Sequence, residues 1–447
     1  MPSPAESPPN HYLLCVNAMA KVYIETYGCT LNQADSDIMR AILLSEHAVV
    51  DSEAGCDVTV LNTCTVKGAT ENRIFARMKR LVEAGRPFVV AGCISANIGK
   101  IRKSCPLAPI VSPSSIRHIG SAVADALAKK PSIYACTGPC DAKTGLPRIL
   151  TAPICRIPIN DGCVSSCHFC QTKLARPHLS SYPPKSIVKW INDGVRNGAR
   201  EIQLASQDSG AYGLDIKTNL LALLGAIAND DSSGRVQGKE YMVRLGMINP
   251  EHAKRMLPGI LDALHSPCFY KFLHVPVQTG SEKVCTEMNR DHSVRDFYDI
   301  VETARGAFPE ASIATDIIVG YPTETEDDFQ ETLELLRRSK PEVVNVSKFS
   351  PRPGTVAKGL KEIPNGIVKR RSGVVSALTK EITKERRMQY VGRRLRVLIT
   401  EKEKDFKGRA INYHQVVVKG FSGELGDFVD VDIYDANLGS LFGEAVK

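Results

Sequence analysis

The stretch Asp161–Cys170, DGCVSSCHFC, follows the strand-like run ICRIPIN of residues 154–160 and sets Cys163, Cys167 and Cys170 in a C-x-x-x-C-x-x-C spacing. Three thiolates on one short loop can hold three irons of a [4Fe-4S] cluster and leave the fourth iron open. Zinc would require a fourth protein ligand, and His168, between two of the cysteines, is awkwardly placed to complete a tetrahedron. The other reading, three buried apolar cysteines, fits poorly with Gly162, Ser165 and Ser166, which make the stretch look like a loop.

Working outward, strand-like runs recur at EIQLASQD, MVRLGMINP, KFLHVPVQ, SIATDIIVG and VVNVSKFS, with helix-compatible segments at 184–198, 219–229, 294–307 and 325–339. Six β/α units in about 200 residues predict a partial (β/α)6 barrel, open on one side, rather than a closed eight-unit barrel. Polar residues gather at the strand ends, the face where such barrels place their sites: Gln207, Asp208, Asn249, Gln278 and Asp316. Towards the amino terminus, three more apolar runs each end at a cysteine: KVYIETYG before Cys29, VTVLNT before Cys64 and FVVAG before Cys93. Helix-like stretches at 32–45 and 70–84 separate them, so the alternation predicts a parallel α/β sheet. All carboxyl ends of its strands lie along one edge, and the three cysteines converge there as a second trio. A second cluster site and three buried cysteines both remain open on spacing alone.

The carboxy-terminal part reads as short strands, RRLRVLIT, HQVVVKG and DFVDVDIYDA, the size of a small all-β barrel. Charge is uneven along the 447 residues, whose formal net is +8. Residues 367–419 hold 15 Lys and Arg against 5 Asp and Glu, whereas residues 420–447 hold 1 against 6. Such a block is either a solvated helix face or a polyanion-binding surface. The longest apolar run, Leu220–Ala228, is too short to span a bilayer, and MPSPAESPPN lacks the pattern of a secretory signal. A cytoplasmic, reducing location follows as the expectation, with residues 1–20 a disordered extension and either Met1 or Met19 the start. Cys136 and Cys140, in ACTGPC, lack partners, and Cys15, Cys56, Cys105, Cys155, Cys268 and Cys285 form no constellation; all eight are read as buried or incidental thiols.

The spacing of the 161–170 loop, with an aromatic residue before its last cysteine, resembles the radical S-adenosylmethionine superfamily. The segments IETYGCTLNQADSDIM, VLNTCTVKGATENR, VVAGCISA and INDGCVSSCHFCQTKLARP are similar to its methylthiotransferase family, and the resemblance runs from about Lys21 to the end. It implies a methylthiotransferase amino-terminal domain over residues 21–135, a radical core over 150–380 and a TRAM RNA-binding domain over 385–447. Carried over, it implies that Cys163, Cys167 and Cys170 hold the radical-generating [4Fe-4S] cluster. Cys29, Cys64 and Cys93 would hold a second [4Fe-4S] cluster, where sulfur is methylated before insertion. S-adenosylmethionine (SAM) would serve as both methyl donor and radical source, with an electron donor such as a ferredoxin or flavodoxin.

Gln207, Asp208, Arg244 and His274 are candidates for contact with SAM, and for each the alternative is ordinary strand-end hydrogen bonding. Arg409, Asn412 and Tyr413, in KGRAINYH, occupy the TRAM pattern and imply RNA contact, Tyr413 by stacking on a base. RLGMINPEH, KFLHVPVQTGSEKV and NVSKFSPRPGT look most like the archaeal and eukaryotic-type branch, which methylthiolates C2 of threonylcarbamoyladenosine beside the tRNA anticodon. The alternatives are isopentenyl-adenosine in tRNA, a ribosomal-protein aspartate, or an RNA-binding iron–sulfur sensor without turnover. A soluble form without a membrane tail, acting as a monomer, is expected. Thr279 and Thr323 stand where the family commonly has serine and glycine, and Thr323 must avoid positive φ or accept strain.

Overall fold

The computed structural model describes residues 19–65, 68–135, 143–230, 235–236 and 238–446. Cys15, Cys136, Cys140 and most of the expected 1–20 extension lie outside them.

The amino-terminal unit is a six-stranded parallel sheet of β1 (Lys21–Thr26), β2 (Ala48–Val50), β3 (Val58–Thr63), β4 (Phe88–Gly92), β5 (Ile110–Val111) and β6 (Ile133–Tyr134), in the order β2-β1-β3-β4-β5-β6. Alternation within the buried strands divides the core. Val58, Val60, Val89 and Ala91 pack with Ile38, Met39 and Leu43 of helix α1 (Thr30–Leu43). Leu61, Phe88 and Val90 pack with Ile74, Met78 and Leu81 of α2 (Gly68–Glu83) on the other face. A sheet covered on both faces explains why its strands read as continuous apolar runs. Because β1 lies between β2 and β3, the strand order reverses at β1/β3, which opens a crevice at their carboxyl ends.

The central unit has six parallel strands, Ile154–Pro158, Glu201–Ala205, Met242–Arg244, Phe272–His274, Ser312–Val319 and Val343–Lys348. They form two three-stranded halves, joined by a single bridge between Val243 and Phe269. Ile202, Leu204, Val243, Leu273, Ile313 and Ile317 face the surrounding helices. Their alternate neighbours, among them Gln203, Arg244, Phe272, His274, Ala314 and Asn345, face the lumen by the period-two rule. The expected helices stand at Pro184–Arg196, Leu220–Asp230, Val294–Ala307 and Glu326–Ser339. Capping boxes of Ser293 with Asp296 and Thr325 with Asp328 start the last two.

The last unit is a closed five-stranded barrel of Arg394–Lys402, Phe406–Ala410, Gln415–Lys419, Phe428–Ala436 and Leu441–Ala445. Helix Asn365–Met388 leads into it, and its basic residues are not simply a solvated face: Arg371 and Arg387 are buried and Arg386 binds Glu342. Thr323 takes no positive φ; its hydroxyl instead bonds the Glu287 carboxylate. Among the described residues no helix is long and apolar enough to cross a membrane.

Candidate functional site

Cys64 and Cys93 directly follow the carboxyl ends of β3 and β4, and Cys29 comes three residues after that of β1, at the edge where the strand order reverses. Glycine precedes two of these cysteines and Cys163 as well: Gly28, Gly92 and Gly162 all have positive φ. At Gly92 a Cβ would stand 2.5 Å from the Thr63 carbonyl oxygen, and at Gly162 one would stand 2.0 Å from the His178 carbonyl oxygen. Only glycine lets the backbone turn here and deliver the next side chain to the edge.

Burial pushes the Cys93 thiol up to about 12 and the Cys163 thiol up to about 11, the latter helped by the Asp208 charge. Such thiols ionise when a cation replaces their protons. Arg290 donates to Cys167 Sγ at 3.2 Å, to Asn249 Oδ1 at 3.0 Å and to the Pro276 carbonyl at 3.0 Å. Soft thiol donors in threes, with a cationic donor on one of them, suit an iron–sulfur cluster.

Both trios open on one cavity of about 720 Å³ between the amino-terminal sheet and the barrel mouth, lined by Cys29 and Cys64 from one side and by Cys170 from the other. Gln278, at its wall, holds φ +73, a strained conformation for a non-glycine residue fixed by backbone bonds to Asp316 and Ile318. Two sets of contacts clamp the units around this cavity. On one side Arg352 pairs with Glu71 at 2.5 Å and Thr65 Oγ1 donates to Gln171 Oε1 at 2.5 Å. On the other a buried quartet alternates in sign. Lys143 lies 2.6 Å from Asp35 and 3.0 Å from Asp161, and Arg176 pairs with both aspartates. Its charges cancel, which is the condition for burying four ions. Arg176 also reaches Asn32 Oδ1 at 3.3 Å, the same oxygen that Cys93 Sγ faces at 3.6 Å.

The four expected SAM contacts separate. Gln207 carries a buried carbonyl oxygen with no partner among the described residues, an acceptor free for a ligand. Asp208 is fully buried and already accepts from Gly210 N, Asn249 N, Asn249 Nδ2 and His252 Nδ1 at 2.8–3.1 Å, which makes it a scaffold for its neighbours rather than a cofactor contact. Although burial opposes it, the Asp208 hydrogen bond and charge, with the Glu251 charge, raise His252 above its ordinary value. Asp208, Glu251 and His252 are the one group of possible metal ligands within 4.8 Å of one another among the described residues. Mutual pairing accounts for the grouping, because the His252 ring lies 2.9 Å from Asp208 and 3.4 Å from Glu251.

Arg244 points away from the cysteines, towards the carboxy-terminal barrel, with its guanidinium over Phe272 and Tyr413. His274, 3.3 Å from Asp316, lines both the cysteine cavity and a second chamber of about 320 Å³. That chamber includes all three expected RNA contacts. The structure turns two of them inward. Asn412 is buried and accepts from His414 N, and Tyr413 donates to Glu201 Oε1 at 2.9 Å while its ring packs on Tyr270. Tyr413 therefore fixes the small barrel against the large one while Asn412 shapes its own turn, and Tyr413 offers no free ring face comparable to an exposed stacking platform. Arg409 stays partly accessible, 3.5 Å from Glu401. Sequence reasoning missed Arg176 and Arg290, although Arg176 lies six residues past Cys170; it also missed the Gly-Cys pairs, a signal visible in the sequence.

Comparisons with known proteins agree with this three-part layout. Residues 157–336 match the Radical SAM superfamily, residues 21–110 the Uncharacterized protein family UPF0004 and residues 388–446 the TRAM domain. A protein of Pyrococcus horikoshii named "Probable threonylcarbamoyladenosine tRNA methylthiotransferase" is 37% identical, over 96% of this chain and 100% of that one. One of the same name from Archaeoglobus fulgidus is 39% identical, over 95% and 98%. The human threonylcarbamoyladenosine tRNA methylthiotransferase is 32% identical, over 97% of this chain and 75% of its own. Among solved structures, the radical S-adenosylmethionine methyltransferase TsrM of Kitasatospora setae shares the fold, with a TM-score of 0.54 at 13% identity over 76% of this chain and 75% of that one.

Proposed function

The chain belongs to the threonylcarbamoyladenosine tRNA methylthiotransferases, and we propose that it transfers a methylthio group to C2 of threonylcarbamoyladenosine beside the anticodon, using two [4Fe-4S] clusters and SAM. It is a radical SAM tRNA methylthiotransferase; the position modified and the cofactor inventory are the parts proposed. Cys163, Cys167 and Cys170 would hold the cluster that takes SAM, and Cys29, Cys64 and Cys93 the second. With these groups bound, SAM supplies a 5′-deoxyadenosyl radical and, from a second molecule, a methyl group. The protein's own residues do the rest. The Gly-Cys turns present the thiols, Arg290 neutralises charge on Cys167, Gln207 offers an acceptor to the methionine portion, and the buried quartet fixes the distance between the trios.

The observation that carries this reading is the single cavity onto which both trios open. A sulfur-bearing group on one side and a radical source on the other would meet the same substrate carbon there. Domain limits of 21–135, 150–380 and 385–447 are part of the proposal, although Ile382, on the helix Asn365–Met388 that crosses the last boundary, still packs in the central core. Arg409 is the expected RNA contact of the last domain, and a ferredoxin- or flavodoxin-type donor, a monomeric state and a cytoplasmic location complete the proposal.

The test is metal content together with product. Anaerobically reconstituted protein should hold about eight irons, and a variant with Cys163, Cys167 and Cys170 all changed to Ala about four, two four-iron clusters being the premise. Wild type should add one methylthio group to tRNA carrying threonylcarbamoyladenosine, read by nucleoside mass spectrometry. Four irons in the wild type would remove the sulfur donor, and RNA binding without 5′-deoxyadenosine would point to a sensor.

A further inference from the structure

The chamber between the two barrels holds an excess of unmatched positive charge. Arg244 comes from the third strand of the large barrel, Arg387 from the helix Asn365–Met388 and Arg409 from the small barrel, and all three line it. In each the Nε is buried with no hydrogen-bond partner among the described residues. Arg387 is only 8% exposed, and its one side-chain hydrogen bond among the described residues goes to the Asn437 carbonyl at 3.1 Å. Burial lowers its pKa with no carboxylate to offset the effect. Arg244 makes no ion pair among the described residues, and no aspartate or glutamate lines the chamber. Of the nearby acids, Glu201 binds Tyr413, and Asp316 binds His274 and Asn345; Glu401, 3.5 Å from Arg409, offsets that arginine alone and leaves Arg244 and Arg387 unmatched. His414 adds no charge, because burial and the neighbouring Arg387 and Arg386 hold it at about 3. Burying guanidinium groups without a counter-ion is expensive, and the cost is recovered when an anion enters.

The place of the chamber says which anion. His274 and Asn345 line both it and the cysteine cavity, so the two are consecutive parts of the barrel lumen. A backbone phosphate stays on the outside of a folded RNA, whereas this recess lies behind the position where a target base would meet the cysteines. Its wall is aromatic, with Phe272 and Tyr413 beside the Arg244 guanidinium. We propose that Arg244 and Arg387, with Arg409, bind the carboxylate of the threonylcarbamoyl arm on the target adenosine. The inference rests on the function proposed above and adds to it the means of choosing this nucleoside over one with an apolar N6 arm. A planar guanidinium fork matches a carboxylate, and an uncharged arm would leave Arg244 and Arg387 unpaired.

The test measures binding, not turnover. An anticodon stem-loop RNA carrying threonylcarbamoyladenosine is compared with the same RNA as its carboxyl methyl ester, by fluorescence anisotropy on the full-length reconstituted protein. Wild type should prefer the acid by roughly tenfold or more, as expected for hydrogen bonds to a charged group. R244Q and R387Q should each bring the ratio towards one, and R387K should restore part of it. R244Q decides the matter if R387Q fails to fold by circular dichroism. Equal binding of acid and ester by wild type overturns the proposal. So does an equal loss of affinity for both RNAs in the variants, which marks a phosphate site instead. Methylthio product on the acid-bearing tRNA with no acid preference would sink this inference and leave the functional reading intact; absence of product would sink the reading itself.

Discussion

Arg176 and Asp35 form an ion pair in which each side chain is only 2% exposed, one following the Cys163–Cys170 loop and the other standing on α1 behind Cys29. The pair joins segments 141 residues apart and holds the two cysteine trios to one geometry. Changing Arg176 to Ala leaves Asp35 and Asp161 sharing Lys143 alone, which should cost about 3–5 kcal/mol. The double change D35A/R176A leaves Lys143 and Asp161 as a balanced pair. It should therefore cost less than the sum of the single changes by about 1–3 kcal/mol. Urea unfolding of the four proteins measures the coupling, and additive effects would show that the quartet does not act as a unit.

The Gly-Cys turns make a prediction separable by trio. At Gly92, φ +88 and ψ −163 lie in a region open essentially to glycine, and Gly162 has φ +80 with a backbone carbonyl where its Cβ would be. G162A should lower iron in the reconstituted protein by the share of the first cluster, and G92A by that of the second. G85A is the control. It also has positive φ, but nothing lies within 4 Å of its Cβ, so it should cost about 1 kcal/mol and leave iron unchanged.

Asp37, on the helix α1, sets a pH dependence. Burial pushes its carboxyl up to about 6 although Arg156, Arg40 and Arg148 pull it down, and its Oδ2 has no partner among the described residues. The unfolded chain releases this proton at lower pH than the folded one. The contribution to stability is therefore complete below about pH 4 and lost as pH rises through 6, by roughly 2–3 kcal/mol. D37N should match wild type near pH 4 and exceed it at pH 8. Denaturation midpoints at the two pH values test this, and a constant difference would refute it.

What could be read from the sequence is what depends on local pattern. Runs ending in Cys29, Cys64 and Cys93 located three strands and their common edge, because a parallel sheet aligns all carboxyl ends. Strands Phe406–Ala410 and Leu441–Ala445 were not legible. Gly408 and Gly443 interrupt their apolar pattern, and both sit where a neighbouring strand approaches closely: a Cβ would lie 2.2 Å from the Leu398 carbonyl oxygen and 2.3 Å from Val431 Cγ1. Arg244 carried the right strand position but not the right surroundings, and Tyr413, in the turn after Ala410, gave no sign of facing inward, since only the docking of the small barrel decides which lumen residues it covers. Asp208 looked like a free strand-end acid, but the Asn249 backbone N–H occupies its Oδ1 and the Asn249 amide and His252 ring, 41 and 44 residues away, occupy its Oδ2.

Arg290 should tune the first cluster electrically. Its Nη1 donates to Cys167 Sγ, and its Nη2 is held by Asn249 Oδ1 and the Pro276 carbonyl, so the charge is fixed in direction as well as place. Its charge and hydrogen bond already offset part of the burial that raises the Cys167 thiol. A hydrogen bond to a cluster sulfur favours the reduced, more negative state and raises the potential. R290M should therefore make reduction harder, with a potential more negative than wild type, and R290K should fall between, because a lysine keeps the charge but not the fixed fork. A spectroscopic redox titration without SAM reads this directly, with iron content confirming that the cluster is present. An unchanged potential in R290M at full iron would show that Arg290 only shapes the loop.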